Sequence, residues 1–186
     1  MPPVIGVLAL QGDFEAHGRI LRALGAEPRE VRGIEGLEGL DGLIMPGGES
    51  TVMTLGIERE GLAEPLRALA RAGTPVLGTC AGLIMLDREH LGLMDLRARR
   101  NAFGRQTRSF EADVELEGVA NGPMRAVFIR APWIEEHGES VEVLAELDGH
   151  AVAARQGRVL AVAFHPELGG DLRVHEHFLA SVRASA

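Results

Sequence analysis

One cysteine, one late histidine and one glycine-rich loop carry the chemistry this sequence can offer. Cys80 stands in Gly78-Thr79-Cys80-Ala81-Gly82, between the apolar run Pro75–Gly78 and an apolar segment from Leu83. A nucleophile with glycines two positions either side, where a strand turns into a helix, has the form of a nucleophile elbow. The sharp turn exposes the side chain, and small neighbours are needed because the backbone crowds itself there. The N–H groups and dipole of the following helix would also favour a thiolate. A small buried hydrophobe at a strand end accounts for the same cysteine without chemistry.

The second motif is Phe164-His165-Pro166-Glu167, directly after the apolar run Val159–Phe164. An imidazole beside a thiol can take its proton and later protonate a leaving amine. Glu167, two positions on, can hold that ring in one tautomer, with Pro166 stiffening the turn. An ordinary strand-exit turn with two polar residues is the alternative. The third motif, Pro46-Gly47-Gly48-Glu49-Ser50-Thr51, also leaves a buried strand. Its glycines let backbone N–H groups of Gly47 and Gly48 face a developing oxyanion, with the Ala81 N–H as a further donor. It can equally be a turn capping a helix at Ser50. Open α/β sheets gather their sites at strand C-termini, where all three motifs fall, and acyl transfer through Cys80, His165 and Glu167 follows from the conjunction.

The elements that must position these motifs are legible in outline. Val4–Leu10, Gly42–Met45 and Pro75–Gly78 are continuous apolar runs, as strands buried on both faces require. Between them lie helical segments. Asp13 is placed to cap one that carries His17, Ile20, Leu21 and Leu24 and ends at Gly25, and Leu62–Ala72 is another. Alternating strands and helices predict a parallel sheet with helices on both faces. The second half differs. Phe110–Leu116 alternates, Val141–Leu147 reads as a strand, and Asp148-Gly149 is a two-residue hairpin signal before Ala151–Ala154. Gln156-Gly157 turns into Val159–Phe164, and Leu172–Val182 closes the chain as a helix. The expected fold is α/β, a flavodoxin-like three-layer sandwich with a mostly parallel central sheet and an antiparallel extension in the second half. Residues 1–186 read as one domain.

Composition narrows the function classes. All 19 basic residues are Arg, and the net charge is -8. No basic stripe is present to neutralise phosphates, which argues against nucleic acid. The Arg-Ala-Arg-Arg run at 97–100 reads as a solvated surface or local ion-pair site. Aromatic residues are 4% of the chain, so a core of Leu, Val, Ile, Ala and Met is expected. A single cysteine precludes an internal disulfide and fits a reducing compartment. The N-terminal apolar run is too short to span a bilayer, so a cytoplasmic location without membrane contact is expected. Nothing calls for a metal or cofactor.

These motifs resemble the class I, triad-type glutamine amidotransferases, in which a Gly-x-Cys-x-Gly elbow is paired with a late His-x-Glu. More narrowly, Leu10-Gln-Gly12, Pro46-Gly-Gly-Glu-Ser-Thr51, Gly78-Thr-Cys-Ala-Gly-Leu83, Asn101-Ala-Phe-Gly-Arg-Gln106, Ser109-Phe-Glu-Ala-Asp113, Val127-Phe-Ile-Arg-Ala-Pro132 and Phe164-His-Pro-Glu-Leu168 look like the glutaminase subunits of pyridoxal 5'-phosphate synthase. The blocks run almost from end to end, with no departure at the functional positions.

The resemblance implies that Cys80 attacks the side-chain amide of L-glutamine, His165 acts as base and then acid, and Glu167 orients it. It assigns Gly48, Glu49, Ser50, Arg105, Ile129 and Arg130 to the substrate, whose carboxylate and ammonium call for a cation, an anion and backbone groups. It also implies a partner, a (β/α)₈-barrel synthase subunit in a large hetero-oligomer, which receives the ammonia by a protected route. Gln11 is a candidate for the interface or the ammonia exit, or else a buried loop amide. Three rivals stand beside this reading. A glutaminase serving another synthase is opposed by the 101–106 and 127–132 blocks. A flavodoxin-like cysteine stress protein is opposed by His-Pro-Glu, and a catalytically dead regulatory subunit by the intact triad.

Overall fold

Three short apolar segments form the middle of the sheet because a strand covered on both faces must be apolar on both. The computed structural model describes residues 1–104 and 109–185. In chain order the elements are β1 (Val4–Leu8), α1 (Phe14–Ala23), β2 (Glu27–Val31), β3 (Gly42–Met45), α2 (Ser50–Arg59), α3 (Ala63–Arg71), β4 (Val76–Thr79) and α4 (Ala81–Leu86). The second half adds β5 (Leu96–Arg99), β6 (Ser109–Val114), β7 (Met124–Ile129), β8 (Trp133–His137), β9 (Glu142–Leu147), β10 (His150–Gln156), β11 (Val159–Val162) and α5 (Arg173–Arg183).

The main sheet runs β2-β1-β3-β4-β11-β10-β8-β5, with β9 also paired to β10. The β2 to β11 pairings are parallel and those beyond are antiparallel. The expected parallel core with an antiparallel extension is therefore present. Asp148 and Gly149 turn between β9 and β10 with φ of 52° and 77°, the left-handed pair that a tight hairpin requires. β6 and β7 form a separate antiparallel ribbon.

Register fixes which helices cover which face. Met45 and Gly78 are Cα partners and share a face with α4, since a Cβ at Gly78 would run into Leu86. Gly42 points the other way, and a Cβ there would lie 2.8 Å from Val182 and 3.0 Å from Phe178 of α5. α1 joins α5 on that face through its contact with His175. The core is not purely aliphatic as the composition implied. Phe128, Phe164 and Phe178 are among its largest fully buried side chains, and Phe103, Phe110 and Phe128 join Phe164 and Trp133 in one run of ring contacts. These rings lock the β6–β7 ribbon onto the sheet at the C-terminal end of β11.

Candidate active site

The site forms where β4 and β11 end side by side. Thr79 is paired with Val162, and the Cys80 N–H donates to the Val162 carbonyl at 2.9 Å. Cys80 lies at the junction of β4 and α4 with φ 48° and ψ −107°, a backbone state costing a non-glycine residue roughly 1–3 kcal/mol. Crowding explains the flanking glycines: a Cβ at Gly82 would run into the Met45 carbonyl, and one at Gly78 into Leu86 with the Gly82 backbone 2.8 Å away. Cys80, Asn101 and Arg130, three of the four non-glycine residues with positive φ among the described residues, line the same cavity. Backbone strain is thus concentrated at the site.

His165 lines the same cavity as Cys80, whose Sγ lies 3.8 Å from the Ile129 carbonyl. The ring's Nδ1 lies 2.6 Å from Glu167 Oε1. The His165 N–H donates to the Val127 carbonyl at 2.8 Å, which ties the motif to the β6–β7 ribbon. Cys80 and His165 are each 6% exposed, and the Glu167 side chain is fully buried. Burial pushes the imidazole down, but the hydrogen bonds and charges of Cys80 and Glu167 outweigh it and raise His165 to about 10. A ring so placed is an imidazolium at neutral pH.

The glycine loop closes the other wall. A Cβ at Gly47 would run into the His165 ring and sit 3.3 Å from Cys80 Cβ, so only glycine fits. Gly47 turns its carbonyl toward Gly12, and Gln11 Oε1 accepts the Glu49 N–H at 2.5 Å. Gln11 therefore fastens this loop to the end of β1. Glu49 is the cap of α2, not Ser50: its carboxylate accepts from the Thr51 and Val52 N–H groups, which hold it below the usual carboxylate range. Ser50 is instead the first helical residue and is buried. Asp13 occupies the cap position of α1 but makes no side-chain capping bond.

A cavity of about 300 Å³ opens onto Cys80. It is lined by Gly47, Gly48, Glu49, Ser50, Cys80, Ala81, Ile129, Arg130 and His165, so every anticipated substrate or oxyanion position except one meets there. The exception, Arg105, lies outside the described residues. Arg100 and Asn101 also line the cavity. In the basic run, Arg97 and Arg99 are the ion-pair site the sequence suggested, bound to Glu135 and Glu136. Arg100 differs, reaching Glu49 and Thr51 at 3.3 Å each at the cavity rim. Its i+1 neighbour Asn101, a residue type tolerant of positive φ, was the available signal.

The profile of the SNO glutamine amidotransferase family matches residues 7–184. Relatives described as pyridoxal 5'-phosphate synthase subunit PdxT are 53% identical in Mycolicibacterium vanbaalenii and 54% identical in Streptomyces avermitilis. They cover 97% and 98% of this chain, and 98% and 96% of their own lengths. A solved structure described as a glutamine amidotransferase superimposes with a TM-score of 0.90 at 47% identity, over 96% of this chain and 98% of the other.

Proposed function

The chain belongs to the SNO glutamine amidotransferase family, and on that footing we propose that it is the glutaminase subunit of a pyridoxal 5'-phosphate synthase. It hydrolyses L-glutamine to L-glutamate and ammonia, and a (β/α)₈-barrel synthase subunit takes up the ammonia. The names of its full-length relatives support the assignment. The observation that carries the chemistry is the meeting of Cys80 and His165 in one cavity, with His165 Nδ1 2.6 Å from Glu167 Oε1.

In the mechanism, the Cys80 thiolate, paired with the His165 imidazolium, attacks the side-chain carbonyl carbon of glutamine. Gly47, Gly48 and Ala81 supply the backbone donors for the oxyanion. His165 then gives its proton to the amide nitrogen, the C–N bond breaks, and ammonia leaves a γ-glutamyl thioester on Cys80. Water attacks the thioester while His165 takes its proton, and glutamate departs as the thiolate–imidazolium pair returns. Glu167 holds the ring and offsets its charge at both stages. Glu49 is assigned to the substrate ammonium and Arg130 to the carboxylate; Ser50 and Ile129 complete the pocket, and the family resemblance adds Arg105.

We read residues 1–186 as one amidotransferase domain acting in the cytoplasm, where a single free thiol stays reduced. Among the described residues no helix is long and apolar enough to cross a membrane. The test is glutamate release from glutamine by this chain alone and with a pyridoxal 5'-phosphate synthase barrel subunit. Stimulation by the barrel supports substrate and partner together. Activity indifferent to the barrel removes the partner, and no activity in either case removes the glutaminase.

A further inference from the structure

Glu167 has two carboxylate oxygens, and His165 uses one of them. The other, Oε2, is buried without a regular hydrogen bond and lies 3.4 Å from Nε2 of His17, a residue of α1. The side chains of both residues are wholly out of solvent. On its far side, His17 Nδ1 is 2.9 Å from Nε2 of His175, a fully buried residue of α5, whose own Nδ1 has no partner. The Thr79 hydroxyl, one residue before Cys80, is 3.5 Å from the same His17 Nε2. A file of side chains thus runs from His165 through Glu167 and His17 to His175.

Proton bookkeeping along this file favours one direction. A carboxylate only accepts, so Oε2 needs a donor, and the nitrogen facing it is His17 Nε2. A neutral ring protonated there leaves a lone pair on Nδ1, which His175 fills by donating from its own Nε2. In the reverse arrangement Thr79 could donate to Nε2, but that nitrogen's lone pair would face a buried anion and Oε2 would have no donor. Both rings are neutral at working pH. Burial, then the nearby His175 and His165, lowers His17 well below 6.5, and burial lowers His175 to about 4. Two buried imidazoles are a poor way to fill a core that leucine would fill without stranded polar atoms.

We propose that His17 is a positioning residue for the Cys80–His165–Glu167 triad, a neutral imidazole donating from Nε2 to the outer oxygen of Glu167 and held in that tautomer by His175. The inference rests on the triad reading given above. The titratable groups around Glu167 are His165 on its own loop, His17 from α1 with His175 behind it, and Asp13. The Asp13 carboxylate clusters within 4.8 Å of His165 and Glu167 and opposes a second negative charge there. A donor on the far oxygen offsets that repulsion and fixes the carboxylate against the His165 ring, as outer hydrogen bonds do for other buried histidine sites.

The test uses the full chain with its barrel subunit, in wild-type, His17→Gln and His17→Leu forms. Glutamine places an amide N–H where Nε2 stood; leucine does not. His17→Leu should lower kcat about tenfold, the scale of lost outer-sphere support, with KM for glutamine nearly unchanged. The pH at which His165 loses its proton should fall from about 10 toward the ordinary histidine range. His17→Gln should recover most of both. Nitrogen-15 NMR of histidine-labelled wild-type protein should show His17 protonated on Nε2 and bare on Nδ1. Protonation on Nδ1 overturns the proposal whether or not any variant folds. Equal losses in both variants with an unmoved pH profile overturn it too, since that is a packing role. Glutamate release by Cys80→Ala would instead remove the triad reading, while the NMR tautomer still decides the direction of the file.

Discussion

Nδ1 of His165 and Oε1 of Glu167 lie 2.6 Å apart although only Pro166 separates the two residues in the chain. That short contact fixes the orientation of the ring. Replacing Glu167 by Gln keeps the shape and removes the charge that helps raise His165 to about 10. The expected result is a loss of glutaminase kcat of about 10²–10⁴-fold, by analogy with neutralised triad acids. The alkaline limit, where His165 loses its proton, should fall from about 10 toward the ordinary histidine range. A kcat against pH profile checks both.

Cys80 carries backbone strain as well as chemistry. Cys80→Ala should abolish glutamate release while leaving the fold and barrel docking intact. Cys80→Gly should be just as inactive yet more stable than Cys80→Ala by about 1 kcal/mol, because glycine tolerates a φ of 48°. Denaturant unfolding of the two variants measures the difference, and equal stabilities would mean that the elbow stores no strain.

Gly12 faces the Gly47 carbonyl at φ 94°. Gly12→Ala must displace the Gly47–Gly48 loop relative to Cys80, since the obstruction is backbone. The expected outcome is a drop in kcat/KM of about tenfold or more, the scale of losing one oxyanion donor or of a small misplacement. Steady-state kinetics and a lowered Tm would report it together.

Arg100 sits half-exposed at the rim, paired with Glu49. Its removal as Arg100→Ala should cost under about 1 kcal/mol of stability, as exposed pairs do. KM for glutamine should rise several-fold with kcat little changed, since Arg100 lies at the cavity mouth and not at the reacting carbon.

Acid should destabilise the fold through the buried histidines. Folded His175 is lowered to about 4 from 6.5, so the unfolded chain takes up a proton that the folded chain refuses as pH falls. Stability present above pH 6.5 is lost between 6.5 and about 4, by about 3 kcal/mol for this one residue. Urea unfolding of wild type and His175→Leu across that window should give a flatter curve for the variant. Parallel curves would mean that His175 is not neutral in the folded state.

The reach of the sequence differs sharply between parts of the molecule. Strands β1, β3 and β4 were legible because burial on both faces leaves an apolar run, and Cys80 could be brought to His165 because both end central strands. The short polar strands β2, β5 and β8 carry no such run and were missed, as was β7. Ser50 is a candidate α2 cap by residue type, yet it is the Glu49 side chain that accepts from the Thr51 and Val52 N–H groups. His17 shares helical spacing with Ile20, Leu21 and Leu24 and looks like any core position. Its partners Glu167 and His175 come from the far end of the chain, and no local pattern encodes that meeting.

The central claim is that glutamine is opened by covalent attack from Cys80. The most direct measurement is mass spectrometry of the chain, with its barrel subunit, quenched in acid during turnover of glutamine and then digested. A γ-glutamyl adduct on the peptide containing Cys80, absent from Cys80→Ala, is the expected result. Steady glutamate release with no adduct on Cys80, or undiminished release by Cys80→Ala, would contradict it.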